Sequence, residues 1–257
     1  MKGNSHVART AIPPTEVAPG IHRFTGIVSN FYLVEQSGGL TLVDAGTPAD
    51  WRLFLRTLGT LGRRLDDLDA VVLTHAHPDH VGFAERARRE GPTSVWVHED
   101  DAAVAQGAKL GKGDASLARY LARTEFYRTF AGLSRGKAMK IIPVVEVSTF
   151  AGDEVLDVPV KPRAVHIPGH TPGNAVLFLE SRRALLTGDT LVTHNPLTGR
   201  TGLQVMPSGF NRDTAQALAS LSALENLNAE IILPAHGEPW HGPVSQAVQL
   251  ARAAGTS

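Results

Sequence analysis

Residues 70–80 read Ala-Val-Val-Leu-Thr-His-Ala-His-Pro-Asp-His, an apolar run that leads directly into a dense group of polar side chains. The apolar part, residues 70–73, predicts a short buried strand, so the polar group begins where a strand ends. Pro78 has no amide hydrogen and suits the first turn of a following helix, which places Asp79 and His80 near that helix's N-terminus. The stretch therefore predicts a strand, a tight turn and a helix start, with polar side chains gathered at the junction.

Four side chains in this stretch, His75, His77, Asp79 and His80, are of types that bind metal ions. Clustered polar groups without partners are costly, so a metal is the expected partner. The turn separates the four into two pairs, and we expect His75 and His77 to serve one metal and Asp79 and His80 another. Imidazole and carboxylate donors without a thiolate suit Zn²⁺, while Mn²⁺ and Fe²⁺ accept similar donors.

The chain contains two similar halves. An apolar hairpin pattern over residues 30–46 recurs over residues 174–189, and in each half a predicted helix and an apolar strand follow, leading to His75 or His236. Two such sheets with helices outside would pack face to face and bring corresponding strand ends to a shared rim, which would carry the metal site. A chance similarity between short strand and helix units is the alternative. The spacing of apolar residues predicts helices over 50–61, 79–90, 213–226 and 243–253.

Four motifs resemble those of the metallo-β-lactamase superfamily: His-x-His-x-Asp-His at 75–80, Gly-His at 169–170, Gly-Asp at 188–189 and Ala-His-Gly at 235–237. The resemblance covers residues 17–240. It implies an α/β protein, a four-layer αβ/βα sandwich of two mixed β-sheets flanked by helices. It also implies that one metal is bound by His75, His77 and His170 and the second by Asp79, His80 and His236, with Asp189 bridging the two.

The composition limits the size of the fold and its partners. The chain has 257 residues, 42% of them apolar and 19% charged, which suits one domain over 17–257 after a flexible N-terminal segment, 1–16. The 25 basic residues balance 25 acidic ones, so neither nucleic acid nor a membrane is an expected partner. Cysteine is absent, which excludes a thiolate nucleophile. Without a signal-like or membrane-spanning apolar run, we expect a cytoplasmic protein that acts on a small molecule.

Two adjacent cations indicate hydrolysis. They would lower the pKa of a water held between them, so that a bridging hydroxide becomes the nucleophile, and would polarise a substrate oxygen. We expect two Zn²⁺ ions, or Mn²⁺ or Fe²⁺, and a carboxylic ester, thioester or lactone as substrate. Asp79 is the candidate catalytic residue, orienting the hydroxide and protonating the leaving group, and its alternative role is that of a metal ligand alone.

Other activities of similar proteins compete with this interpretation. The first alternative is a mononuclear iron enzyme similar to persulfide dioxygenases. A β-lactamase is less favoured, because those enzymes usually lack an aspartate at the position of Asp189. N-acyl homoserine lactonases usually carry tyrosine where this chain has Val192. A phosphodiesterase is less favoured because the neutral charge offers no basic arm for RNA.

The segment at about 100–140 is a predicted helical insertion with apolar residues at near-helical spacing. It would form an apolar lid that selects an acyl group, a helix pair packed on the body, or a dimer surface, so the protein is expected to be a monomer or a homodimer. His194 is a candidate substrate contact, with an exposed loop histidine as the alternative. We assign the remaining histidines without ligand-like neighbours to the surface: His6, His22, His98 and His241.

Overall fold

The first half of the chain forms a seven-stranded sheet. The computed structural model describes residues 14–36 and 39–256. Its first seven strands are β1 (Thr15–Ala18), β2 (Ile21–Thr25), β3 (Asn30–Gln36), β4 (Gly39–Val43), β5 (Leu68–Val72), β6 (Ser94–His98) and β7 (Ser148–Phe150). They lie in sequence order in the sheet, antiparallel from β1 to β4 and parallel from β4 to β7. Thr15 and Glu16, predicted to belong to the flexible N-terminal segment, lie in β1, and residues 1–13 are outside the described residues.

The second half forms a six-stranded sheet and a separate strand pair. Its strands are β8 (Glu154–Val155), β9 (Arg163–His166), β10 (Ala175–Leu179), β11 (Ala184–Gly188), β12 (Val192–His194), β13 (Thr201–Gln204), β14 (Ile231–Pro234) and β15 (Trp240–His241). The sheet order is β15-β14-β11-β10-β9-β8, with β11 and β14 parallel, while β12 pairs only with β13. Both sheets are therefore mixed, as predicted.

Helices flank both sheets. They are α1 (Trp51–Thr60), α2 (Pro78–Val81), α3 (Ala84–Glu90), α4 (Glu99–Ala105), α5 (Thr124–Gly136), α6 (Thr214–Ser220) and α7 (Val244–Ala254). In the part of the chain that the structure describes, every helix is too short or too polar to cross a lipid bilayer.

Three apolar clusters separate four layers. Residues of both sheets, including Tyr32 and Leu186, meet in the central cluster. Trp51 and Phe54 of α1 pack with the outer face of the first sheet, and Val248 of α7 packs with that of the second. Alternate residues of the central strands thus face either the other sheet or a helix, and both faces are buried. The predicted αβ/βα sandwich is confirmed.

The helix predicted over 79–90 is broken in the structure into α2 and α3. The backbone of Ala45 enters the break: its N–H donates to the carbonyl of His80 at 2.7 Å, and its carbonyl accepts from the N–H of Phe83 at 3.1 Å. Gly82 stands at the break, where a Cβ would overlap the carbonyl oxygen of Gly46. Hydrogen bonds to the end of the neighbouring strand replace those of a continuous helix, and local spacing contains no sign of that strand.

Candidate metal centre

Seven side chains of ligand type meet at the C-terminal ends of the strands, on the rim shared by the two sheets. They are the seven that the sequence singled out: His75, His77, Asp79, His80, His170, Asp189 and His236. The motif at 75–80 follows β5 and enters α2, which begins at Pro78 as predicted. The other three follow β9, β11 and β14. The side chains form two groups, which we call group one (His75, His77, His170 and Asp189) and group two (Asp79, His80 and His236).

In group one, three imidazole nitrogens converge on one point. Nε2 of His170 lies 2.8 Å from Nδ1 of His77 and 3.2 Å from Nε2 of His75, and the last two atoms are 3.1 Å apart. In two of these rings the other nitrogen, Nδ1, contacts a polar side chain outside the group. Nδ1 of His75 contacts the Thr74 hydroxyl at 3.1 Å, and Nδ1 of His170 contacts Oδ1 of Asn211 at 3.0 Å. Donation from His170 to Asn211 leaves the inner nitrogen with a free lone pair, as metal ligation requires.

Group two combines imidazole with carboxylate. Oδ2 of Asp79 lies 3.6 Å from Nε2 of His236 and 3.8 Å from Nε2 of His80. The outer nitrogen of His80, Nδ1, is 2.9 Å from Oδ2 of Asp44, which follows β4. This carboxylate orients the ring and makes Nε2 a better electron-pair donor to a metal ion.

Asp189 faces both groups. Its Oδ2 lies 3.3 Å from Nε2 of His170 in group one. Its Oδ1 lies 3.4 Å from Nε2 of His80 and 3.4 Å from Nε2 of His236 in group two. One carboxylate therefore presents a separate oxygen to each group, which is the arrangement that the resemblance implied for this residue.

The two groups differ in their protonation. Burial lowers the pKa of His75 and of His77 well below the usual value, and neighbouring imidazoles lower it further. Burial also lowers the pKa of His80 and His236, but carboxylates led by Asp189 outweigh burial and raise both pKa values. Burial raises the pKa of Asp189, yet His236 and His80 hold it well below its usual value. His75 and His77 of group one therefore favour the neutral form, while His80 and His236 of group two favour the protonated form.

The donor atoms fit divalent cations. Oδ1 of Asp189 and Nε2 of His80 face each other, but both are buried and neither has a hydrogen-bond partner among the described residues. Such orphaned polar atoms are costly unless a charged partner lies between them. Protons on His80 and His236 balance the carboxylates in the same positions that a cation would fill. Imidazole and carboxylate donors suit zinc, and also manganese and iron(II).

Asp101 is a buried carboxylate in α4 that the sequence did not single out. Its Oδ2 accepts from the N–H of Ala76 at 2.9 Å and from the hydroxyl of Thr171 at 2.7 Å, and its Oδ1 accepts from the N–H of Gly173 at 2.9 Å. It thereby joins the loop of His75 and His77 to the loop of His170. In the sequence, an acidic run at the start of a helix looks like an ordinary solvated N-terminus, so no local signal marks it.

Two corrections concern the other histidines. His98 and His22, predicted to lie on the surface, are buried. The ring of His98 stacks on that of His166 with centroids 4.0 Å apart, and Nε2 of His22 contacts Glu35 at 2.8 Å. His241 is exposed, and His6 lies outside the described residues. His166 lies in the other sheet and Glu35 on the strand that pairs with β2, so neighbours in the sequence could not reveal these contacts.

The candidate substrate contact His194 lies in β12 and is half-buried. Its Nε2 is 3.2 Å from Oε1 of Glu125 in α5. It lines a cavity of about 410 Å³ that it shares with His236 and another of about 880 Å³, but not the cavity of about 580 Å³ that borders both groups. Its role in substrate binding stays a prediction.

Sequence and structure comparisons agree on the family. The family model of the metallo-β-lactamase superfamily matches residues 24–236. The chain therefore belongs to the metallo-β-lactamase superfamily. It is 27% identical over 238 residues to the probable metallo-hydrolase YflN of Bacillus subtilis (strain 168), which covers 88% of this chain and 87% of that protein.

Two further relatives extend this picture. The chain is 27% identical over 231 residues to a linear primary-alkylsulfatase of Pseudomonas sp. (strain ATCC 19151), over 82% of this chain but only 42% of that protein. A metallo-β-lactamase family protein from Thermus thermophilus superimposes with a TM-score of 0.66 and 25% identity, covering 91% of this chain and 78% of the other. At the level of the family, the activity is that of a metallo-hydrolase.

Proposed function

We propose that the protein is a hydrolase that uses two divalent cations to cleave a carboxylic ester, a thioester or a lactone. The observation that carries the proposal is the position of Asp189, whose two carboxylate oxygens face two separate groups of histidine and aspartate donors. A site for one structural metal would need only one closed set of ligands. Two open sets that share a carboxylate suit a pair of metals that act together on one substrate.

Each group would hold one cation. His75, His77 and His170 would bind the first, Asp79, His80 and His236 would bind the second, and Asp189 would bind both. When bound, the cations supply Lewis acidity, which lowers the pKa of water and polarises the substrate carbonyl. Zn²⁺ is the expected ion, because all donors are imidazole nitrogen or carboxylate oxygen and none is a thiolate.

Asp79 is the proposed catalytic residue. It lines the cavity of about 580 Å³ together with His77 and His236, so its carboxylate borders the space that a substrate would enter. Ser29 fixes the start of α2 by donating to the backbone carbonyl of Asp79 at 2.6 Å. The carboxylate would accept a proton from the attacking water at Oδ1 or Oδ2 and return it to the leaving oxygen or sulfur. Because proton transfer by a positioned side chain contributes about 10²–10⁴-fold, Asp79→Asn should lower kcat by that range.

The decisive experiment is metal analysis of protein purified without added metal, combined with a substrate screen. We expect two equivalents of zinc, and turnover of lactones, thioesters or esters that is lost on chelation and restored by Zn²⁺. Phosphodiesters and a chromogenic cephalosporin test the less favoured activities. Full turnover after exhaustive chelation would contradict the proposal. One equivalent of iron with oxygen consumption would instead establish the persulfide dioxygenase-like alternative.

Asp79 needs a test that separates proton transfer from metal binding. Asp79→Asn retains an oxygen donor, so the number of metals bound should be measured alongside kcat. A large fall in kcat with two metals still bound supports the proton-transfer role. Loss of one metal in parallel with activity would leave Asp79 as a ligand only, and unchanged turnover on every substrate would remove both roles.

A further inference from the structure

The cavity of about 580 Å³ lies directly against the two ligand groups. Its floor includes His77, Asp79, Asp189 and His236, so it contacts members of both. Its volume is in the range of small-molecule sites, about 300–1,000 Å³. A substrate whose scissile bond lies at the two groups would place part of itself in this space, so the chemistry of the cavity walls is informative about that substrate.

The walls of this cavity are largely apolar. They come from the segment that was predicted as an insertion and from a loop before α6, and their large apolar side chains are Leu110, Leu117, Phe130, Leu133, Met139 and Phe210. Aromatic contacts hold this wall in place, because the ring of Phe130 lies 4.6 Å from that of Phe126 and 6.4 Å from that of Phe210. Met139 is 58% exposed and Leu110 is 40% exposed, which leaves apolar surface in water when the cavity is empty. Covering such surface with an apolar group is favourable.

A second, adjoining cavity is more polar. It has a volume of about 240 Å³ and contacts His77 and His170. It shares Leu110, Lys112 and Phe210 with the first cavity, and Lys109, Arg212 and two aspartates add further charged groups to its lining. An apolar chain placed there would remove charged groups from water without compensation. Negative charge develops on the leaving atom during ester cleavage, and nearby cations favour that charge. The polar cavity therefore suits the leaving group, which assigns the apolar cavity to the acyl side.

We propose that the substrate carries an apolar acyl chain of several carbon atoms, and that the cavity walled by Leu117, Phe130 and Leu133 binds this chain. The inference rests on the proposed hydrolase function. Each methylene group moved from water into an apolar site strengthens binding about fourfold. The chain is bound equally in the ground state and the transition state, so the gain lowers KM and leaves kcat nearly constant.

The first test is a series of thioesters or aryl esters with one leaving group and acyl chains from acetyl to decanoyl. Because the acyl chain should enter an apolar cavity, kcat/KM should rise about fourfold for each added methylene until the cavity is filled. A parallel series of acetate esters with lengthening alkyl leaving groups should stay nearly flat. A flat acyl series with measurable acetyl turnover would overturn the inference, and so would a rise confined to the alkyl series. Failure to cleave any member would instead contradict the hydrolase proposal.

Two matched leucines on the same segment test the wall itself. Leu133 lines the cavity, whereas Leu121 is 50% exposed and is not among the lining residues. Leu133→Gln should lower the ratio of decanoyl to acetyl kcat/KM about tenfold, because it places an amide in the apolar site. Leu121→Gln should leave the ratio unchanged. Met139→Gln serves as a second wall variant that cannot disturb the core, since Met139 is exposed. Equal ratios in wild type and both wall variants would refute the assignment.

A binding measurement without catalysis completes the test. Neutral alkanols from butanol to decanol should bind to protein whose metals have been removed with a chelator. Their affinity, measured by calorimetry, should rise about fourfold per methylene. Leu133→Gln should reduce this increment and Leu121→Gln should not. Affinity that does not depend on chain length would overturn the inference even if the hydrolase function is correct.

Discussion

Corresponding strands in the two halves, β4 and β11, end in different ways. Both run parallel to the strand that leads to a histidine, β5 or β14. Both leave the sheet through one residue in the left-handed region, with φ of 61° at Asp44 and 49° at Gly188. In the first half the aspartate itself has this conformation, whereas in the second half the aspartate comes one residue later. The backbones are similar, but the carboxylates are displaced by one position.

That displacement gives the two carboxylates different surroundings. The carboxylate of Asp44 accepts from the N–H of Thr74 at 2.8 Å and holds the outer nitrogen of His80, so it anchors the motif from behind. The carboxylate of Asp189 instead faces inner nitrogens of both ligand groups. Gly188 permits this path, because a Cβ there would overlap Oγ1 of Thr74. A shift of one residue in the position of the aspartate therefore gives the two similar halves carboxylates with different contacts.

Substitution of Asp189 should have the largest effect. Asp189→Ala removes the oxygen that faces each group, and we expect both metals to bind more weakly and kcat/KM to fall about 10³-fold or more. Metal content after dialysis and turnover on the best ester check this. Asp157→Ala, at an exposed position of the same half, is the control. Retention of two metals in Asp189→Ala would show that the carboxylate has no such shared role.

Substitution of Asp44 should affect one group only. Asn tolerates the left-handed conformation but lacks the charge that supports His80, so Asp44→Asn should weaken metal binding in group two by about 10–100-fold. Group one should keep its metal, which stepwise chelator titration would reveal as one weak and one tight site. Asp69→Asn, which changes a carboxylate on the same sheet away from the ligands, should titrate as wild type. Equal weakening of both sites would contradict the division between support and ligation.

Lowering the pH should weaken metal binding in group two before it weakens metal binding in group one. The pKa values of His80 and His236 are raised, so a metal entering group two must displace protons, and its affinity should fall about tenfold per pH unit for each proton displaced as the pH is lowered. The pKa values of His75 and His77 are lowered, so protons on these two residues should not compete with a metal entering group one near neutral pH. Metal content in metal-buffered dialysis from about pH 8 to pH 6 should therefore fall from two to one before both are lost. Simultaneous loss would contradict the assigned protonation.

Substitution of Asp101 should have the smallest effect and should fall on group one. Asp101→Asn turns one acceptor into a donor that faces an N–H or hydroxyl, which should cost about 1–3 kcal/mol in the free energy of unfolding. Because it loosens the loops of His75 and His170, we expect several-fold weaker binding in group one. Asp100→Asn, at the exposed neighbouring position, is the matched control. Chemical denaturation measures the change in stability, and chelator titration measures the change in metal affinity. If Asp101→Asn gives the same results as Asp100→Asn in both measurements, the hydrogen bonds of Asp101 are unimportant for the two ligand loops.

The predicted elements succeeded where their cause is local. The spacing of Trp51, Phe54 and Leu58 predicted a helix over 50–61, and α1 occupies most of that range. The continuous helix over 79–90 was wrong, because the backbone of Ala45 breaks it at Gly82. For the segment at 100–140 the sequence left three roles open. Leu117, Phe130 and Leu133 of this segment lie against the cavity, a placement that depends on loops more than 60 residues away, such as that of Phe210.

The sequence by itself determined the seven side chains of ligand type, because dense polar motifs are local properties of the chain, and the resemblance carried by those motifs implied the family and the two mixed sheets. The tertiary structure decided that Asp44 holds the outer nitrogen of His80, that Asp101 joins the two ligand loops, and that a largely apolar cavity adjoins a more polar one beside the site. These features depend on contacts between residues far apart in the chain. Local composition and spacing do not reveal such contacts.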